Sequence, residues 1–189
     1  FLLQHRDVKL AEQELQKQIT QFPEKVLLQL ALGKLYESQS KWLAAQMTYE
    51  KIISLDEKNP QAIEAKNKLA ALYLSRGNLV KSEEYVTQVL DRSPGDTMGL
   101  LNRGKLAFAK KDYAGAIVDF RSVARNLPGS SDVVSLLAQA HMLNGENDLA
   151  LATLRNAVDA NPRNGNVRFE YVKMLVAIGD NESALKQVD

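Results

Sequence analysis

Cysteine is absent from the 189 residues, which excludes disulfides, zinc–thiolate sites and thiol nucleophiles. Histidine is scarce, with only His5 and His141, so no cluster of imidazoles can hold a metal. No apolar run approaches the roughly 18–20 residues a bilayer span needs, and no signal-peptide pattern is visible. No direct membrane insertion is therefore expected of this segment. Nor does one sign of charge dominate. The 24 basic and 23 acidic side chains leave a net of +1, which provides no field to draw in nucleic acid or an anionic membrane. The chain opens at Phe1 and is read as a segment of a longer protein.

Proline is sparse but regular. Pro23, Pro60, Pro94, Pro128 and Pro162 are separated by 37, 34, 34 and 34 residues, a period that points to a solenoid. Twelve residues before four of these prolines stands a small residue: Ala11, Ser82, Ala116 and Ala150. Ala45 and Ala184 fill the same column. Four residues further on come Leu15, Tyr49, Val86, Phe120, Leu154 and Val188. A small and a large residue at i and i+4 share one helix face, so a neighbouring helix can approach over the first and pack beside the second.

Before each small residue runs a turn: "SKWLAA" (40–45), "GNLVKS" (77–82), "KDYAGA" (111–116), "GENDLA" (145–150) and "GDNESA" (179–184). Gly, Asn and Asp there supply positive φ and a helix cap. Amphipathic runs such as "AIEAKNKLAALYLSR" (62–76) precede the turns, so each unit reads as two helices. The predicted units are a partial one at 1–25, full ones at 26–62, 63–96, 97–130 and 131–164, and a partial one at 165–189. The three residues added near "ISLDEKNP" (53–60) predict a longer second helix or a looser corner, with a local change of pitch.

These columns resemble the tetratricopeptide repeat, W-x2-L-G-x2-Y then A-x3-F then P in 34 residues. Leu32-Gly33, Tyr36, Ala45 and Tyr49 carry it in the first full unit, and Leu69-Ala70, Tyr73, Ser82 and Val86 in the second. Gly104, Ala107, Ala116 and Phe120 carry the third; Leu137-Ala138, Ala150 and Leu154 the fourth. The leading Trp is missing, and Trp42 stands at a turn. The resemblance implies an all-α fold, a right-handed superhelical solenoid of antiparallel helix pairs. It also implies a non-catalytic interaction module.

One string suggests chemistry. "HRDVKL" (5–10) matches the opening of a protein-kinase catalytic loop. That loop also needs Asn where Glu12 stands, a later Asp-Phe-Gly and a Gly-rich phosphate loop, and none is present. Aligned on "KDYAGA", the string instead predicts a turn, with His5 ending one helix and Asp7 capping the next. His141 falls in the column of Tyr36, Tyr73 and Ala107, and is expected in or near the core. Asp56-Glu57-Lys58 reads as a charged corner, and Gly104 as a close helix contact. No cofactor or metal is expected.

In proteins of the resembled family, first helices line a concave face that grips a protein or peptide partner. Carried over column by column, the implied contacts are Lys34, Glu37, Asn67, Lys68, Ala71 and Leu74, then Met98, Leu101, Asn102, Lys105 and Phe108. Asp132, Gln139, Met142, Phe169, Glu170 and Lys173 complete the set. Lys34, Lys105, Gln139 and Lys173 share a column of donors, Asn67 and Asn102 offer peptide-backbone bonds, and Met and Phe add adaptable apolar contacts. The Lys/Asn clamp with which some relatives hold chaperone tails is not reproduced. Two alternatives stand beside this reading. One is an assembly arm of a bacterial envelope machine for secretion or exopolysaccharide export. The other is a regulatory arm on an enzyme whose catalytic domain lies elsewhere. The style of the sequence resembles bacterial repeat proteins, several of them of the cell envelope, which leans toward a periplasmic or envelope location and leaves the cytoplasm as the alternative. Exposed apolar ends, including Leu185 and Val188, predict end-to-end self-association.

Overall fold

A computed structural model of the chain describes residues 2–55 and 59–188. Asp56, Glu57 and Lys58, the expected charged corner, lie outside the described residues. Within them the secondary structure is helical throughout, and the chain divides into two compact units, Phe1–Ser93 and Pro94–Asp189. The first unit contains α1 (Leu2–Gln21), α2 (Val26–Ser38), α3 (Trp42–Leu55), α4 (Pro60–Ser75) and α5 (Leu79–Arg92). The second contains α6 (Thr97–Ala109), α7 (Tyr113–Asn126), α8 (Ser131–Leu143), α9 (Asn147–Ala160), α10 (Gly165–Ala177) and α11 (Asn181–Lys186). In each unit a helix packs chiefly on those before and after it in the chain. The energy therefore resides in nearest-neighbour contacts.

The turns form as their residue types require. Ser40, Gly77, Lys111, Gly145 and Gly179 all have φ between 56° and 86°, and each stands two residues before a second helix. Glycine reaches that region freely, while Ser40 and Lys111 hold it against a Cβ penalty. Asn78, Asp112 and Asp180 then cap α5, α7 and α11, accepting from the amides of Lys81 (3.1 Å), Gly115 (3.0 Å) and Ser183 (3.0 Å). Asp96 and Asn164 do the same for the first helices α6 and α10.

The small–large columns form the core. Ala45, Tyr49, Ser82, Ala116, Phe120 and Ala150 have no exposed surface, and Leu154 has 1%. Facing each large residue across the hairpin is a small one on the first helix. A Cβ on Gly33 would overlap the Tyr49 ring, and one on Gly104 would stand 2.7 Å from Phe120 Cε1. Where the large residue shrinks to Val86 or Leu154, the facing position is Ala70 or Ala138. Ser82 hides its hydroxyl by donating to the Ala70 carbonyl at 2.9 Å. Asp119 is buried on α7 and takes two hydrogen bonds from the Arg103 guanidinium, at 2.7 and 2.8 Å.

One expectation fails. "HRDVKL" is not a turn, because α1 runs unbroken from Leu2 to Gln21 and Asp7 caps nothing. Continuing the helix avoids the penalty that a left-handed Arg6 would carry. Of the longer second helix or looser corner expected in the 37-residue unit, the corner falls on residues 56–58, outside the described residues. Among the described residues α3 has 14, as do α5, α7 and α9. The increase falls in α4, which has 16 residues where the other full first helices have 13. Elsewhere the proline lies three residues before a first helix. Pro60 instead occupies the first helical position behind the Asn59 cap, where its missing N–H costs nothing.

Candidate functional site

The candidate site residues lie on the first helices: α2 and α4 in the first unit, α6, α8 and α10 in the second. The two units present them differently.

In the first unit, the seam between successive first helices is closed by charge. Lys34 Nζ on α2 lies 2.7 Å from Glu64 Oε1 on α4, and Lys68 Nζ on α4 lies 3.1 Å from Glu37 Oε2 on α2. Leu74 is half-buried. Asn67 is 7% exposed and already engaged within the protein, because it shares the buried stripe of Ala70 one turn away. It is therefore not the free peptide-bonding group the sequence suggested.

In the second unit the corresponding seams are open. Lys105 on α6 and Asp132 on α8 occupy the positions that Lys34 and Glu64 hold, each counted from its own proline. Among the described residues neither has an ion-pair partner, and both line a cavity of about 460 Å³. Its other walls come from Ser131, Ser135, Leu136 and Gln139 of α8, and Asn166, Phe169 and Glu170 of α10. In that column α8 carries an aspartate where α4 carries the longer glutamate. In the next seam Gln139 and Asn166 stand in the same two columns and form no bond with each other.

A second cavity of about 360 Å³ opens between α8 and α10 and shares Ser135, Gln139 and Glu170 with the first. It is mainly apolar. Ala138 and Leu154 lie at its base, with Met142, Leu143, Met174 and Ala177 around it. Its mouth carries Lys173, which pairs with Glu170 at 3.0 Å and lies 5.5 Å from the centre of the Phe169 ring.

The expected residues of this unit therefore sort by geometry. Lys105, Gln139, Met142, Phe169 and Lys173 gather on one face, with Asp132 and Glu170. Phe169 is 62% exposed, a large apolar surface beside Lys173. Met98 is exposed on the first turn of α6, and Leu101 is half-buried. Phe108 belongs partly to the core, meeting Tyr113 edge-on at 5.4 Å. Asn102 is 1% exposed and engaged inside the unit: it lies between Gly99 and Leu106 on the inward stripe of α6, so no peptide can reach it as expected. Ser135, Asn166 and Ala177 line the cavities although the column reading passed over them. Asn166 shares the column of Glu64 and Asp132, a signal that could have found it.

His141 does not touch either cavity. It is 1% exposed, with Nδ1 at 2.5 Å from Glu146 Oε2 and Nε2 at 3.3 Å from an Arg121 nitrogen. A guanidinium can only donate, so Nε2 accepts and Nδ1–H donates to Glu146. The histidine is a satisfied internal link joining α7, α8 and the start of α9, as its column implied. Leu185 and Val188, at the end of the described chain, are 68% and 71% exposed. No described helix is long and apolar enough to cross a membrane.

A family model described as tetratricopeptide repeat matches residues 30–97, 68–131 and 135–189, and a second of the same description matches 107–156. Among curated proteins no relative matches the chain. A tetratricopeptide repeat protein from Parabacteroides merdae is 21% identical over 98% of this chain and 73% of its own, with a TM-score of 0.75. A thermophilic protein of the same repeat type from Thermus thermophilus is 19% identical over 86% of this chain and 87% of its own, at a TM-score of 0.68. PilW, described as a widely conserved type IV pilus biogenesis factor, is 17% identical over 98% of this chain and 84% of its own, at 0.81. At such identities the likeness is one of fold.

Proposed function

The chain belongs to the tetratricopeptide repeat family, and from that premise we propose that it is a non-catalytic interaction module whose second unit holds a protein partner on the α6–α8–α10 face. The observation that carries this reading is the pair of adjoining cavities on that face, one polar and one apolar, bordered by the exposed Phe169 ring. Mostly apolar concavity with a few convergent polar groups is the usual form of a recognition site. Lys105, Asp132, Gln139 and Asn166 are polar groups with no internal task, and a partner's backbone amides and side chains can satisfy them. The repeat family is typically a scaffold for protein–protein interaction, which agrees with this use.

The test is a comparative pull-down from cells that express the protein naturally. Lys105→Glu combined with Phe169→Ala removes the free cation and the exposed ring without touching the core. Lys34→Glu, in the first unit, serves as the control. Partner recovery falls with the double variant and survives in the control, while helicity stays unchanged in both. Equal recovery from all three proteins would contradict the proposal.

A further inference from the structure

From the corner built around His141 we propose that the seam between α7 and α8 is a proton-operated joint. Uptake of one proton by the imidazole displaces Arg121 and frees the last turn of α8 from α7. The joint belongs to the frame behind the binding face and operates whether or not that face holds a partner.

The same corner is built twice, with different chemistry. In the first unit the Gln16 amide on α1 donates to the Tyr36 hydroxyl on α2 at 3.0 Å. Lys41, in the turn that follows, lies 5.6 Å from the centre of that ring. Counted from the small residues of each hairpin, Arg121, His141 and Glu146 occupy the columns of Gln16, Tyr36 and Lys41. An Arg121 nitrogen stands 3.3 Å from His141 Nε2, and Glu146 Oε2 stands 2.5 Å from Nδ1. Phenols and amides keep one form near neutrality, whereas histidine is the side chain that changes charge between about pH 5 and 8.

The two ring nitrogens have opposite duties. Nδ1–H donates to Glu146, while Nε2 offers its lone pair to a guanidinium that can only donate. A proton on Nε2 removes the acceptor that Arg121 uses and sets two cations against each other. Glu146 is hydrogen-bonded to the ring and holds it in place, so the group displaced is Arg121, whose exposed side chain can turn to water. The new Nε2–H then needs an acceptor of its own. The ring is 1% exposed, so the last turn of α8 must part from α7 to admit water.

The other charges around this corner are committed or turned away. On α7, Asp119 is held by Arg103 of α6, and Arg125 bonds the Ser122 hydroxyl. Asp148, Arg155 and Asp159 of α9 are exposed. On α10, Glu170 and Lys173 pair with each other beside the apolar cavity, which His141 does not line. On α8 itself, Asp132 lies in the first turn, at the far end from His141. The apolar cluster of Ala116, Ile117, Phe120, Leu137 and Ala140 still binds the two helices, so the seam opens at one end only. Met142 and Leu143 follow His141 and line the apolar cavity, which carries the movement to the binding face.

Hydrogen exchange of the whole chain, corrected for the intrinsic effect of pH, tests the joint at about pH 8 and about pH 5, the limits of the histidine range. Glu146, held below its ordinary carboxyl value of 4.5 by the His141 hydrogen bond, stays charged at both. Protection in the last turn of α8 and the facing turn of α7 should fall about tenfold at the lower pH, the worth of one hydrogen bond to a charged group. The α1–α2 seam should keep its protection. Nitrogen-15 shifts of the His141 ring should show Nε2 gaining its proton over the same transition. Arg121→Gln restores a group that can donate or accept, so its ring should protonate with no loss of protection. His141→Tyr rebuilds the Tyr36 corner and should show no transition. Unchanged protection in the wild type, with or without ring protonation, would overturn the proposal, and so would an equal loss in Arg121→Gln. Either result leaves the reading of the binding face as it was.

Discussion

Gly104 and Phe120 fit each other so closely that a Cβ on the glycine would stand 2.7 Å from Cε1 and 2.8 Å from Cδ1 of the ring, and 3.1 Å from Asp119 Cβ. The α6–α7 hairpin is thus spaced by a hydrogen atom on one helix and an aromatic ring on the other. Gly104→Ala raises helix propensity by about 1 kcal/mol, but overpacking of this kind costs about 1–3 kcal/mol. The expected outcome is a lower Tm in thermal unfolding. Adding Phe120→Leu recreates the Ala138–Leu154 pairing of the next hairpin and should recover part of the loss. A double variant no more stable than the sum of its singles predicts would refute this coupling.

Lys111 and Ser40 occupy the left-handed region at φ 64° and 56° without being glycine. That conformation costs an L-residue about 1–2 kcal/mol, while glycine loses about 0.4–1 kcal/mol of unfolded-chain entropy. Lys111→Gly should therefore stabilise the protein by roughly 0.5–1 kcal/mol. The same change at helical Lys105 should destabilise it. Denaturant midpoints of the two variants decide the point.

The hydrogen bond from His141 holds the Glu146 carboxyl below its ordinary value of 4.5, helped by Asn144 and the nearby Arg121. A carboxyl lowered in the folded state adds stability that is present above its unfolded value. The contribution disappears as pH falls through the folded one. Glu146→Gln should accordingly lower Tm at pH 7 and flatten the decline of Tm below about pH 4.5. Asp180, lowered by Ser183, behaves in the same direction at the cap of α11. Parallel acid limbs for the wild type and Glu146→Gln would show that the histidine link carries no such linkage.

The hairpins were legible in the sequence because their constraint is strict. A small residue, a large one at i+4 and a proline twelve residues after the small one leave little freedom, and Ala116 and Ala150 are buried as that pattern requires. The failures came where position in a column was read without its neighbours. "RDVKLA" shares with "KDYAGA" only its aspartate and its final alanine, and in α1 both lie within one continuous helix. Asn102 and Lys105 are three residues apart on α6, but one faces inward and the other lines a cavity. A column shared by Glu64, Asp132 and Asn166 does not announce that one carboxylate closes a seam while a shorter one leaves it open. Side-chain reach is a property of the folded pair.

The most direct test of the binding face is position-specific photo-crosslinking in cells. A benzoyl-phenylalanine placed at Ser135, where the two cavities meet, is compared with one at Val80, on the exposed side of α5. The account predicts a discrete adduct from position 135 that is lost when Lys105→Glu and Phe169→Ala are added, and none from position 80. The same adduct from position 80 with none from position 135 would contradict it.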